Sequence, residues 1–392
     1  MSLCLSTLGI VNALGLCKSE VARALFDGTK SGIVERRDLI PGIPAWVGAV
    51  DAALPPVPER LRHLDCRNNR MSLAALGQIT DEIEAAIARY SAHRIAVILG
   101  TSTSGIAEGE LAIAHHIEHG SFPPGFLYSR QEPGNLAEFV AEYYWLTGPA
   151  YTIHTACSSS GKSFAAAERL IKAGFCDAAL VGGVDSLCGL TLNGFHALEA
   201  LSQRRCNPFS RYRDGTNIGE AAAIFLLEPG DGPVRLLGTG ESSDAYHISA
   251  PEPSGRGARQ AMAAALVAAG LAPDDVAYVN LHGTATPLND AMEGRAIAEF
   301  FGRPVACSST KGLTGHALGA AAATEAAFLW LTLHPAHSRG VLPPHLWDRA
   351  ADPEIPPLNL VAPGTPIPAG PMLSNSFAFG GSNVSILLGR ES

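Results

Sequence analysis

Thr155-Ala-Cys-Ser-Ser-Ser-Gly-Lys-Ser163 is the stretch on which the fold turns. An apolar, β-prone approach (Ala150, Tyr151, Ile153) ends in Thr155-Ala156-Cys157, and Phe164-Ala-Ala-Ala-Glu-Arg-Leu-Ile-Lys172 beyond it is helix-forming. This order predicts a strand, a tight corner and a helix, with Cys157 at the corner. A thiol there lies near unpaired N–H groups and the positive end of the helix dipole, which favours thiolate over thiol. Small residues behind it leave room for a substrate and for close helix packing. A buried structural cysteine is the alternative for this stretch taken alone.

Around it lie 392 residues, 47% hydrophobic and 17% charged, enough for one large core or two merged ones. The net charge of −9 argues against nucleic acid as a bulk partner. Eight scattered cysteines without a CxxC pair argue against a zinc site or a disulfide framework, so no metal is expected. Free thiols suit a reducing cytosol, and a cytoplasmic location is expected. The N-terminal segment lacks a basic region before its apolar part, and no run approaches the ~20 apolar residues of a membrane span. The reading is a soluble protein.

In chain order, Ser19–Phe26 predicts a capped helix ending at Gly28, and residues 32–60, rich in proline and glycine, an irregular surface excursion. Arg62–Arg94 has helical spacing; Ile95–Gly100, Ala178–Asp185 and Ala221–Leu227 read as buried strands. Pro229-Gly-Asp-Gly232 is the plausible boundary between an N-terminal half, 1–230, and a C-terminal half, 231–392. The second half echoes the first. Ala277–Thr286 parallels Ala96–Thr103, a strand opening into Gly-Thr-x-Thr, and Val305-Ala-Cys-Ser-Ser-Thr310 parallels Thr155–Ser160. The order suggests a duplicated α/β unit with mainly parallel sheets covered by helices.

Reactive residues concentrate in three further stretches. Asn280-Leu-His-Gly-Thr-Ala-Thr286 puts His282 at a strand end, with Thr284 and Thr286 able to donate along an extended substrate. Ser308–Glu325 brings Lys311, His316 and, on the following helix, Glu325. Ser374–Asn383 carries Phe377 and Phe379 beside Gly380-Gly381, whose backbone is free to supply N–H groups. Each histidine could equally be a satisfied core residue, the lysine a solvated side chain and the phenylalanines ordinary core.

Together with Gly182–Asp185, Phe195–Ser202, Pro208–Gly215 and Ser243–His247, these motifs resemble, in order and spacing over nearly the whole chain, the β-ketoacyl-acyl carrier protein synthases of the elongating class, types I and II. The resemblance implies the thiolase fold, duplicated α/β halves in a five-layered αβαβα arrangement, and a dimer, either with itself or with a related ketosynthase or chain length factor. It implies a decarboxylative Claisen condensation between an acyl-cysteine and malonyl-carrier protein, with no bound cofactor and the carrier's phosphopantetheine arm delivering substrate. Cys157 would be the nucleophile, His282 and His316 the enolate-stabilising pair, Lys311 and Glu325 the supporting network, and Phe379 the gate and an oxyanion-hole donor. Thr284, Thr286, Phe377, Asn383 and Thr103 would meet the substrate, Thr103 near the bottom of the acyl pocket. Arg62, Arg67, Arg70, Arg204, Arg205 and Arg211 are candidates for docking an acidic carrier. Ala378 stands where the family has glycine. Cys157–Lys162 and Val184–His196 are similar to ketosynthases of aryl polyene and xanthomonadin-type pigment clusters. The rival functions are a chain-length-factor-like scaffold and a thiolase-like acyltransferase or decarboxylase.

Overall fold

The computed structural model describes residues 2–390. Its strands are β1 (Leu3–Asn12), β2 (Ile33–Ile40), β3 (Ile43–Gly48), β4 (Ile95–Gly100), β5 (Ala150–Ile153), β6 (Ala178–Asp185), β7 (Ile218–Gly219), β8 (Ala221–Pro229), β9 (Arg235–Ser243), β10 (Tyr278–Asn280), β11 (Ala306–Ser308), β12 (Asn359–Leu360), β13 (Met372–Phe377) and β14 (Ser382–Gly389). Its α-helices are α1 (Lys18–Asp27), α2 (Arg67–Leu76), α3 (Thr80–Tyr90), α4 (Ile106–His119), α5 (Asn135–Tyr143), α6 (Ser159–Lys172), α7 (Gly189–Ala197), α8 (Arg256–Ala269), α9 (Pro287–Phe301), α10 (Lys311–Thr314) and α11 (Ala321–Leu333).

The duplication is written in the sheet. Strands run in the order β12-β11-β10-β13-β14-β9-β1-β8-β6-β4-β5. In the first half β4 is parallel to β5 and β6, β6 is antiparallel to β8, and β8 to β1. In the second half β10 is parallel to β11 and β13, β13 is antiparallel to β14, and β14 to β9. The two series are the same series. β1 and β9 join them edge to edge through Leu3–Leu236 and Cys4–Arg235.

Helices α6 and α11 form the middle layer. Every residue of α11 is buried, with Ala323, Ala326, Ala327, Phe328 and Leu331 in one core with Ala96, Phe164, Val181, Phe225 and Ile386 from the strands and α6. A helix apolar on all sides has to be enclosed on all sides. On the outer faces α2, α3 and α5 close a second core against the first half, and α8 and α9 a third against the second. This is the five-layered arrangement of the thiolase fold.

Residues 32–60 correct the expected irregular excursion. β2 and β3 form a hairpin pairing Ile33 with Gly48 and Val34 with Val47, and β7 adds a third strand through Val47–Ile218. The charged run Glu35-Arg36-Arg37-Asp38 lies on the exposed part of β2, which hid its strand pattern. Helix α1 ends at Gly28, in the left-handed region at φ 59°, as its sequence requires.

Candidate active site

β5 delivers the chain to Thr155, and α6 begins two residues past Cys157. Between them Ala156 takes φ 51°, a left-handed conformation costly for a residue with a Cβ. The serines hold that corner. Thr155 N–H donates to Ser159 Oγ at 2.9 Å, Ser158 Oγ donates to the Thr155 carbonyl at 2.8 Å, and Ser159 Oγ to the Ala156 carbonyl at 2.6 Å. Cys157 is thereby fixed at the mouth of a buried helix and is itself 5% exposed.

The second half brings the partners. His282 follows β10, its N–H and that of Gly283 each donating at 2.7 Å to the two carboxylate oxygens of Glu293 on α9. His316 follows α10, its N–H donating to the Asn217 carbonyl at 2.7 Å and its carbonyl accepting from Gly219 N–H at 2.8 Å. His316 Nε2 lies 3.0 Å from Cys157 Sγ, and the two imidazole centroids are 5.3 Å apart at 84°. Lys311 Nζ donates to Glu325 on α11 and to the His282 carbonyl at 2.5 Å, and lies 3.5 Å from His282 Nδ1. An ammonium has only donors, so Nδ1 is the accepting nitrogen and the His282 proton rests on Nε2.

A cavity of about 230 Å³ opens above the sulfur, lined among others by Cys157, His282, His316, Thr284, Thr286, Phe377, Phe379 and Asn383. Thr284 and Thr286 hydroxyls are 2.9 Å apart, and Asn383 Nδ2 donates to Asp244 at 2.7 Å. Phe195 of α7 stacks on Phe379 at 5.4 Å and 15°.

Burial dominates the electrostatics. It pushes the Cys157 thiol up to about 12, against the Lys311 charge and the N–H groups of Phe379 and Cys157 that face the sulfur. That corrects the expected resting thiolate: desolvation outweighs the helix end, and the sulfur is a thiol beside His316. Burial, then Lys311, holds both His282 and His316 well below the ordinary imidazole range, so both rings are neutral. Burial lifts Glu325 to about 7 and Glu293 to about 8, against Lys311 and two backbone N–H groups respectively.

Three expected positions fall elsewhere. Thr103 is outside the cavity lining; its hydroxyl donates to Asp185 at 2.8 Å, because that buried carboxylate also collects Thr101 and two backbone N–H groups. Arg67 forks onto the buried Glu220 at 2.6 and 2.9 Å, so it holds the interior together and is withdrawn from docking. Arg70 is half-exposed but committed to Asp65 through two bonds of 2.7 Å. Arg62 and Arg204 remain exposed, while Arg205 is half-buried. Lys162 is tied to Glu241 at 3.6 Å. Sequence reasoning missed Glu293 and named Phe195 only inside a motif. The signal for Glu293 was present: Asp290 and Glu293, three apart after Thr286-Pro287, share one face of a helix opening under His282.

Comparison with known proteins agrees with this geometry. Residues 46–231 match the N-terminal domain of β-ketoacyl synthases and residues 234–346 the C-terminal domain. The chain belongs to the β-ketoacyl synthase family. It is 31% identical over 334 residues to 3-oxoacyl-[acyl-carrier-protein] synthase 2 of Synechocystis, covering 80% of this chain and 79% of that relative. It is 38% identical over 273 residues to the mitochondrial 3-oxoacyl-[acyl-carrier-protein] synthase of Arabidopsis thaliana, covering 63% of this chain and 58% of that one. A chain of the solved ketosynthase ApeO in complex with its chain length factor ApeC, from Xenorhabdus doucetiae, is 45% identical with a TM-score of 0.95, covering 100% and 98%. This synthase is a ketosynthase-class acyltransferase of fatty acid or polyketide-type chain elongation. Among its described residues no helix is long and apolar enough to cross a membrane.

Proposed function

We propose that Cys157 takes an acyl group from a carrier-protein thioester and that His282 and His316 then stabilise the enolate formed when malonyl-carrier protein loses CO₂. The observation that carries this is the meeting of one sulfur and two imidazoles from opposite halves, all three donor atoms within 4.8 Å of one another. In loading, His316 Nε2 takes the thiol proton as sulfur attacks the thioester carbonyl, and the leaving pantetheine thiolate takes it back. The N–H groups of Cys157 and Phe379 hold the oxyanion, an effect of about 2.7–4 kcal/mol per donor in comparable sites. In condensation, the Nε2–H of His282, set by Lys311, and His316 bond the thioester oxygen. The enolate carbon attacks the acyl-cysteine and sulfur leaves. Thr284, Thr286 and Asn383 line the way in for a phosphopantetheine arm.

We read the chain as extending a pigment-type acyl chain in the cytoplasm, on the motif similarity at Cys157–Lys162 and Val184–His196 and the 45% identity to the Xenorhabdus complex. The carrier protein would dock near Arg62, Arg204 and Arg205. A related chain, as in that complex, would cover the edge strand β5 and the exposed Leu111, Ile113 and Ile117 of α4. A pure scaffold reading is disfavoured by the intact Cys157, His282 and His316.

Intact-protein mass spectrometry with acyl- and malonyl-carrier protein tests the chemistry. Wild type should load and extend, Cys157→Ala should do neither, and His282→Ala should load but extend roughly 10²–10³-fold more slowly. Loading of the alanine variant, or full-rate extension without His282, would overturn the assignment.

A further inference from the structure

We propose that Cys157, His282 and His316 also bind a soft divalent cation of the zinc class, and that the bound ion reversibly blocks acyl loading. One thiol and two imidazoles are a donor set that selects zinc over magnesium or calcium. Tetrahedral zinc, with Zn–S ~2.3 Å and Zn–N ~2.1 Å, places its donors roughly 3.3–3.7 Å apart. The 3.0 Å between Sγ and His316 Nε2 and the 4.8 Å outer limit of the trio bracket that spacing, so small side-chain rotations suffice.

His282 is oriented through its backbone by Glu293, and His316 by its backbone bonds to Asn217 and Gly219. Coordination through His282 Nε2 shifts the ring proton to Nδ1, and the Lys311 ammonium then rests on its Glu325 and His282 carbonyl partners. Lys311 opposes a cation, but its charge is matched by Glu325 at its side. The fourth coordination position faces the cavity, which gives both an entry path and room for a water ligand. The exchange balances without a redox step: the S–H bond breaks, a Zn–S bond forms and one proton passes to solvent. A sulfur held by zinc cannot attack a thioester, and a chelator should restore it.

His115 and His119 are the competing site, one turn apart on α4 with ring centroids 4.4 Å apart, His119 exposed and His115 half-buried. Cobalt(II) and zinc titrations of the full chain, after chelator treatment, separate the two. The expected result is one ion per chain with the visible bands of a tetrahedral thiolate complex and release of one proton. Binding should persist in H115A/H119A and weaken more than about 100-fold in C157A and, separately, in H316A. Saturating zinc should slow iodoacetamide alkylation of Cys157, and EDTA should reverse this. Binding that survives C157A, or that vanishes in H115A/H119A, overturns the proposal. Metal uptake is read without condensation, so failure here leaves the catalytic assignment standing.

Discussion

Lys311 shows how much one side chain can hold. It is 1% exposed and bonds the Glu325 carboxylate and the His282 carbonyl, with His282 Nδ1 beside it. Lys311→Met would leave Glu325 buried without its partner, a loss of about 3–5 kcal/mol. Adding Glu325→Leu should recover much of the melting temperature. Condensation should stay lost in the double variant, because nothing then fixes the proton on His282 Nε2. Equal melting temperatures for wild type and the single variant would show that the pair carries no such weight. The residue types at this site were legible from the sequence, but their protonation was not. A cysteine at a helix end reads as a thiolate, and only burial on every side reverses that.

Among the elements, α6 depends on how closely its neighbours approach. A Cβ at Gly100 of β4 would lie 2.3 Å from the backbone nitrogen of Ser160, and one at Gly161 would lie 2.5 Å from Val384 Cγ1. Gly100→Ala and Gly161→Ala should each cost about 1–3 kcal/mol, measured by denaturant unfolding. Val384→Ala should rescue the second, because a side chain can be shortened, whereas nothing comparable relieves a clash with backbone. Gly100→Ala should also slow loading at Cys157, three residues from the displaced turn. The repeat that places these elements was visible as two parallel motifs, since strand ends that build a site keep their residue types. The hairpin at 33–48 was not, because half of β2 faces solvent and carries charge instead of alternation.

For the whole molecule, two measurements follow. If the apolar face of α4 is covered by a second subunit, Leu111→Glu with Ile117→Glu should halve the mass seen by light scattering while leaving circular dichroism unchanged. Both positions are exposed in the single chain, at 73% and 79%, so the change should be near neutral to the fold itself. The second concerns pH. Burial raises Glu293 from 4.5 to about 8, so the folded state binds that proton more tightly than the unfolded chain. Its contribution to stability is complete below pH 4.5 and is lost as pH rises through 8. The depressed His282 and His316 act oppositely, their contribution being lost as pH falls below 6.5, so the wild-type curve mixes both signs. The difference between wild type and Glu293→Gln isolates the carboxyl. Melting temperature plotted against pH should fall less steeply in the variant between 4.5 and 8; parallel curves would place no proton there.

By itself the sequence determined the strand–corner–helix around Cys157, the repeat, the family and the residue types of the site, because these depend on local pattern and short spacing. Tertiary structure decided the rest: that the sulfur rests protonated, that Arg67 and Thr103 turn to buried carboxylates, and that a chain without a CxxC pair still gathers three metal-binding donors. Those outcomes depend on which groups lose water together, and residues 125 to 159 positions apart in the chain meet only when two half-sheets close on one buried layer.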